Sequence, residues 1–502
     1  MANDLDQKSA SSSTRAPKQV QTRVAVQPKT IGGYRSLKAY VSFYKNPIPI
    51  MGKLHRKYGD VLRIDSPFRP EANPPSFLLT GEIWNKAVLT NQQAFRPGGI
   101  WPVAGPPGSA LQELRKNYLV LYGAPHTHFS KVASPAFNRS RVNLQYKSLT
   151  SVAVGEIDNW PLDAVVDCER LSRRLMQKLA FRGLFGEADP ENVGALGDAV
   201  EDFHLRQWRR GNQLLPIDCP YSPYRTLLEK ADDLRTKLLK WTDMPSGSED
   251  RADLRACFRT AVLPDGNAIT DDEKAAHMAG LILASYETAS ATLSWALMLL
   301  ALHPDFFKKL RDEADRSGID TDLTGTDRDR PLLNGFINET LRLFPPVPFL
   351  GFRALYDTDL QSLPVRKNSL VFLSVLLTQR DPAVFIDPWE FMPERWQEIS
   401  PNTYQFPAFS GGARRCPGFW FATIMLRYAL SYIVSSLDIR VPEKAAFNYR
   451  YAAVMRPRGG IPLVLFRRGI GTDRMARRKH GIGTSARPVL RGNVNLLFRH
   501  GE

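Results

Sequence analysis

The sequence predicts a mainly α-helical protein: one large helical domain with a small β-sheet subdomain. Three observations carry this. A helical pattern runs through the middle of the chain, from roughly Leu111 to Leu310; strand-like runs are short and lie towards the two ends; and neither an internal repeat nor alternating strand and helix units are present. At 502 residues and 43% hydrophobic, the chain can bury a large core.

Taken in order, the opening MANDLDQKSASSSTRAPKQVQTRVAVQPKT is polar and has no apolar signal core, so residues 1–33 are expected to be a disordered leader, neither secretory signal nor transmembrane anchor. GGYRSLKAYVSFYKNPIPIMGKLHRKYGDVLRI then reads as helix followed by strand, parted by the KYGD turn, at the edge of a small sheet. The run FRPGGIWPVAGPPGS, Phe95 to Ser109, is too rich in glycine and proline for a regular element. As a long loop carrying Phe95, Ile100 and Trp101 it is either a binding surface or a plain connection. The helical middle is interrupted near GNQLLPIDCPYSP and MPSGSED, and strands return in SLVFLSV and IPLVLF. The main domain is expected over 34–466. Residues 467–502, with nine Lys/Arg against two acids, are expected to be a basic tail.

A formal charge of +16 favours acidic partners: nucleic acid, an anionic membrane surface or an acidic protein. No aromatic-studded basic motif or zinc-spaced Cys/His pattern supports nucleic acid. Four scattered cysteines, Cys168, Cys219, Cys257 and Cys416, exclude a disulfide framework and an iron-sulfur domain and point to a reducing, cytoplasmic setting.

Ala275 to His303 is apolar enough to form a helix about 43 Å long, sufficient to cross a bilayer. Glu287 at its middle, beside Thr288 and near Ser285, Ser290 and Thr292, argues instead for the axis of a large core. A buried carboxylate must be paired or functional. Either Glu287 relays protons beside the Thr288 hydroxyl, or it is bonded to a distant arginine.

In LNGFINETLRLFPPVPFL, Glu339 and Arg342 share a helical face that apolar neighbours mark as buried, and Pro345 with Pro346 ends the helix. DPWEFMPERW then offers Arg395 as a second guanidinium for Glu339. In FSGGARRCPGFW, Cys416 precedes Pro417, which is expected at the first helical position of a long apolar helix. The helix dipole, Arg414 and Arg415 should all lower the thiol pKa. A thiolate there is a nucleophile or a metal ligand completed by a macrocycle such as haem; Ser410, Gly411 and Gly412 with the arginines would alternatively form a phosphate cradle, but no Gly-Lys-Ser/Thr follows, and the bland alternative is an inert buried thiol.

Together, and in order along the chain, these residues resemble the cytochrome P450 family of haem-thiolate monooxygenases, from roughly Tyr34 to Phe466. The haem-ligand loop is met at Phe409, Gly412, Arg414, Cys416 and Gly418. Glu339 and Arg342 match the Glu-x-x-Arg pair, and Phe391, Pro393, Glu394 and Arg395 match the Pro-Glu-Arg segment, with Trp396 where Phe is commoner. Glu287 and Thr288 match the acid-alcohol pair. Two departures stand out. Ser285 replaces the usual Gly, and Ser130 replaces the usual Arg of a propionate segment in which His126 is kept. Arg353 resembles a further propionate partner.

The resemblance implies haem b (iron protoporphyrin IX) held by Cys416 as axial metal ligand, with His126, Arg353 and Arg414 around its carboxylates and Glu287 and Thr288 as the catalytic pair that manages protons. It implies a soluble, bacterial-type oxidoreductase that inserts oxygen from O2 into a hydrophobic substrate such as a terpenoid, steroid or fatty acid. The pocket is expected around Ile100, Trp101, Leu281, Ala284, Val347 and Phe349. Electrons would come from a separate ferredoxin- or flavodoxin-type donor and an NAD(P)H-dependent reductase. A peroxide-using haem-thiolate enzyme and a non-catalytic haem sensor or carrier are the alternatives.

Overall fold

A computed structural model describes residues 27–469 except 69, 99–102, 187–188, 245–251, 318–329, 444 and 453. Its helices are α1 (Gly33–Lys45), α2 (Pro47–Tyr58), α3 (Glu82–Leu89), α4 (Ala110–Leu114), α5 (Gly123–Ala133), α6 (Arg139–Leu144), α7 (Tyr146–Asp158), α8 (Cys168–Phe185), α9 (Pro190–Gln207), α10 (Arg210–Leu214), α11 (Pro223–Asp243), α12 (Leu254–Arg259), α13 (Asp271–Leu302), α14 (Pro304–Ser317), α15 (Pro331–Leu343), α16 (Val375–Thr378) and α17 (Phe419–Ser436).

One sheet holds six strands: β1 (Lys29–Ile31), β2 (Val61–Ile64), β3 (Ser76–Leu79), β4 (Phe95–Pro97), β6 (Leu350–Ala354) and β9 (Leu370–Leu373), in the order β1-β2-β3-β9-β6-β4. A second sheet orders β10 (Leu437–Arg440), β13 (Pro462–Arg467) and β5 (Val165–Asp167) as β10-β13-β5. Two hairpins, β7 (Thr358–Leu360) with β8 (Leu363–Val365) and β11 (Tyr449–Ala452) with β12 (Val454–Pro457), complete the strands.

The axis of the core is α13. Thr270 caps it reciprocally with Glu273, and Asp271, Asp272 and Glu273 place negative charge where the first-turn N–H groups are unpaired. Beyond that turn the helix is buried on nearly every side, packed against α8, α11, α9, α4 and β12. No helix among the described residues is long and apolar enough to cross a membrane. The smaller core lies between the six-stranded sheet and α1 and α2, where Ala39, Met51 and Leu54 meet Leu62, Leu78 and Phe372.

The structure moves several sequence boundaries. Lys29–Ile31, placed in the leader, is a strand paired in parallel with β2; the rest of that segment up to residue 26 lies outside the described residues. Phe95–Pro97, read as irregular, is β4, because the antiparallel partner β6 supplies backbone bonds that a Gly/Pro count does not foresee. Arg467 and Arg468, assigned to the tail, pair with Asp158 and Asp315; residues 470–502 lie outside the described residues.

Candidate functional site

Two 3-10 turns, Pro407–Phe409 and Gly412–Arg414, build the loop that presents Cys416. The Cys416 N–H donates to the Phe409 carbonyl at 2.9 Å, and the Phe409 ring meets Phe419 edge-on at 4.8 Å, so the loop closes on the start of α17. Gly412 has φ +60°, and a Cβ there would lie 2.3 Å from the Leu89 carbonyl oxygen of α3. Only glycine lets the loop approach so closely. Ser410, at φ 59° and ψ −165°, holds a conformation that costs a non-glycine residue free energy and persists because its surroundings fix it.

Two expectations about this loop need correction. The helix begins at Phe419 with Gly418 at its cap, so Pro417 lies in the turn before it and not at the first helical position. Burial pushes the Cys416 thiol pKa up, and the Gly418 backbone N–H and Arg415 only partly pull it back. Desolvation outweighs the positive surroundings. The protein alone therefore does not make a thiolate here; a bound metal cation would. No group of three or more His, Cys, Asp or Glu among the described residues could hold a metal, so any remaining ligands must come from a prosthetic group.

Three guanidiniums and an imidazole lie nearby. His126 on α5 is 5% exposed and stacks on Tyr118 at 5.2 Å. Burial and then Arg414 depress its pKa to about 4, and burial lowers Arg414 to about 10. Arg414 donates to the Leu121 carbonyl. Arg353 on β6 is the direct cross-strand partner of Arg96 on β4, two like charges side by side, and the Arg96 guanidinium lies over the ring of Tyr122 at 5.7 Å. Arg414 and Arg96 thus meet at Leu121 and Tyr122, with His126 near Arg414 and Arg353 opposite Arg96, and no carboxylate among the described residues pairs with them; Arg353 itself donates to the Asn368 carbonyl at 3.1 Å. Uncompensated positive charge of this kind suits an anionic group. Ser130 turns its hydroxyl to Tyr118 Oη at 3.2 Å, while Lys131 is exposed.

On α13 the partly exposed positions mid-helix are Leu283, Ala284, Ser285 and Thr288, a narrow open strip on an otherwise buried helix. Ser285 donates to the Ile282 carbonyl at 2.7 Å, whereas Thr288 reaches Ala284 O only at 3.4 Å and is the freer hydroxyl. Glu287 points away into the core, 2% exposed, in an ion pair with Arg456 of β12. Arg456 also meets Glu201 at 3.3 Å and Glu169 at 3.7 Å, and Arg173 pairs with both of those acids. Burial raises the Glu287 pKa despite Arg456 and Arg173. Of the two sequence alternatives, a carboxylate bound to a distant arginine is the arrangement seen.

The comparisons with known proteins bear on this arrangement. The family model described as cytochrome P450 matches residues 221–462. Cytochrome P450 139 of Mycobacterium tuberculosis is 26% identical over 404 residues, 77% of this chain and 91% of the relative. Cytochrome P450 3A13 of Mus musculus is 34% identical over 178 residues, 34% of this chain and 35% of its own length. The solved structure of retinoic acid bound cyanobacterial CYP120A1 superposes with TM-score 0.72 at 20% identity, covering 88% of this chain and 100% of that one.

The chain belongs to the cytochrome P450 family.

Cytochromes P450 are oxidoreductases, monooxygenases whose cofactor is haem b and which draw on O2, an organic substrate and redox partners. The residues present fit that cofactor: a buried loop thiol with no protein co-ligands among the described residues, and guanidinium groups without a carboxylate partner among the described residues for two propionates. Once bound, haem iron supplies the oxygen-activating chemistry, and the chain supplies binding, orientation and proton handling.

The buried frame of this P450 holds Glu339, fully enclosed, by four donors. Arg342 grips both carboxylate oxygens at 2.8 Å, the Met392 N–H reaches one at 2.9 Å, Trp396 Nε1 the other at 2.9 Å, and Arg395 Nε lies 3.3 Å away. Of the expected pocket residues, Ala284 and Val347 are partly exposed, Leu281 is buried in the main core, and Phe349 packs against Phe43 and Tyr451; Ile100 and Trp101 lie outside the described residues. Arg96, Arg456 and Tyr118 were missed from the sequence. For Arg96 a signal existed, the FRP run opposite FRA, hidden by the glycines and prolines that follow.

Proposed function

We propose that this P450 inserts one oxygen atom of O2 into a hydrophobic substrate of the terpenoid, steroid or fatty-acid class. Cys416 would hold the haem iron, and His126, Arg353, Arg414 and Arg96 would receive the propionates. The Thr288 hydroxyl on the open strip of α13 would pass protons to the haem site, with Glu287 as the buried acid behind it. Separate proteins, a ferredoxin- or flavodoxin-type donor and its NAD(P)H-dependent reductase, bring the electrons. The observation that carries this reading is a desolvated, otherwise unligated thiol beside a cluster of unpaired cations. The apolar character of Leu283 and Ala284 along the partly open strip of α13 supports a hydrophobic substrate.

The test is the reduced carbon-monoxide difference spectrum. A thiolate opposite the ligand moves the Soret band far to the red, and Cys416→Ala should abolish that band while the protein stays folded. A retained band in the variant overturns the ligand assignment. Substrate class is read from spin-state shifts across terpenoids, steroids and fatty acids. Turnover supported by NAD(P)H with donor proteins, against turnover supported by peroxide alone, separates the monooxygenase from the peroxygenase.

A further inference from the structure

Two buried carboxylates of this P450 are held in different ways. Glu339 is gripped by four donors, whereas Glu287 meets a single cation, Arg456, at Oε1, and its Oε2 has no hydrogen-bond partner among the described residues. Arg456 is under-used as well, since its Nε makes no hydrogen bond among the described residues. A buried charge pair bonded this loosely is a poor structural support, and orphaned polar atoms of that kind need another explanation.

Arg456 has other acids within reach. Its Nη1 lies 3.3 Å from Glu201 on α9 and 3.7 Å from Glu169 on α8, and Arg173 on α8 pairs with both. Arg450, directly opposite on β11, faces it with a like charge. Arg456, Arg173, Glu201 and Glu169, with Tyr286 beside it on α13, are the groups that act electrostatically on Glu287. Glu169, Glu201 and Arg173 are 13%, 15% and 17% exposed, so the cluster runs from the edge of solvent to Glu287, next to Thr288.

The guanidinium is carried by the β11–β12 hairpin. On one strand, Met455 N–H donates to the Pro346 carbonyl at 2.8 Å, and Trp295 Nε1 donates to the Met455 carbonyl at 3.2 Å. On the other, the Tyr451 ring lies 5.1 Å from Phe349 and 6.0 Å from Trp208, just beyond the α9 helix that bears Glu201. Phe349 belongs to the segment expected to face substrate. A molecule bound beside it presses on Tyr451, and through the hairpin on Arg456.

We propose that Arg456 is a positioning residue, a movable counter-ion that couples the β11–β12 hairpin to proton handling. With the hairpin seated as here it pairs with Glu287. A substrate that shifts Tyr451 draws it towards Glu201 and Glu169, and Glu287 is then free to take a proton from water at the solvent edge of the cluster and hold it beside Thr288. The proposal rests on the reading of Glu287 as the acid behind Thr288, and adds what sets its protonation.

The test uses the full-length haem protein and infrared difference spectra taken in steps of pH. The carbonyl stretch of protonated Glu287 is identified by its loss in Glu287→Gln, and its titration midpoint is read in each variant. Arg456→Met should raise the midpoint by about 1–3 pH units, and Arg456→Lys should bring it most of the way back. Tyr451→Ala, which loosens the hairpin, should raise it when Arg456 is present and leave it unmoved in an Arg456→Met background. Each variant is first shown to keep the wild-type carbon-monoxide spectrum; Phe349→Ala, which withdraws the other half of the ring contact, replaces Tyr451→Ala if that variant does not. The proposal is overturned by the absence of a Glu287 band, by a midpoint indifferent to Arg456→Met, or by a Tyr451→Ala shift that is missing or equal in both backgrounds. The underlying reading fails separately, if Glu287→Gln leaves the pH dependence of donor-driven oxygen reduction as in the wild type.

Discussion

Trp396 donates its indole N–H to the buried carboxylate of Glu339 at 2.9 Å, a bond that a phenylalanine at that position could not make. Trp396→Phe keeps the packing against Phe406 and Phe385 but removes one donor from a carboxylate that water cannot reach. The expected loss is about 1–3 kcal/mol in the stability of the holoprotein, read from the denaturant midpoint. Glu339→Gln, which leaves Arg342 and Arg395 uncompensated, should cost about 3–5 kcal/mol. A Trp396→Phe protein as stable as the wild type would show that the other donors suffice.

Glu287 and Arg456 make a second prediction, in pH. The Glu287 pKa is raised from its usual value of 4.5, so folding favours the protonated acid. That contribution is complete below pH 4.5 and is lost as pH rises through the raised value. Relative to Glu287→Gln, the wild type should therefore lose stability as pH climbs above the ordinary carboxylate range and be level with it in slope below. Arg456→Met should cost about 3 kcal/mol near neutrality and less in acid, and the double variant less than the sum of the singles. Parallel stability curves for wild type and Glu287→Gln at all pH values would contradict the assignment.

Gly412→Ala tests the docking of the cysteine loop on α3. Its positive φ and the 2.3 Å approach to Leu89 O should together displace the loop, at a cost of about 2 kcal/mol or more. The fraction of haem giving the thiolate-type carbon-monoxide band should fall. Gly155→Ala in α7, where a Cβ meets nothing within 4 Å, is the matched control and should leave the band intact.

Arg96→Ala separates two effects of one side chain. In haem-free protein it removes a like charge directly opposite Arg353, which should be neutral or stabilising by about 0.2–1 kcal/mol. In the loaded protein it removes a counter-charge for a carboxylate, and haem transfer to an apo-haem acceptor should speed up roughly tenfold. Slower or unchanged transfer would remove Arg96 from the cofactor's surroundings.

What the sequence revealed was local. Cys416 with its glycines and Arg414, and the spacing of Glu339 and Arg342, are short-range patterns, and Arg395 could be foreseen because only one chemical partner was missing. Arg96 and Arg456 were hidden because sheet register and hairpin placement bring them in from far along the chain. The direction of the Cys416 shift was misjudged for a related reason: helix dipole and neighbouring arginines are visible in sequence, whereas desolvation depends on what the rest of the fold stacks above the thiol. The start of α17 moved by two residues because Cys416 O takes the Phe419 N–H in a turn before the regular ladder begins at Gly418.

The contacts that close the cysteine site join distant parts of the polypeptide. Arg414 reaches Leu121 across 293 positions, Gly412 lies against Leu89, and Arg353 pairs with the strand of Arg96. Local helices such as α8 and α13 can form early, but each of these closures must first bear the entropy of a long loop. On a ribosome the early segments would wait, already synthesised, until the loop around Cys416 emerged. Cofactor capture is then a late event in the life of each chain, and a polypeptide truncated before α17 should accumulate helical structure without acquiring colour.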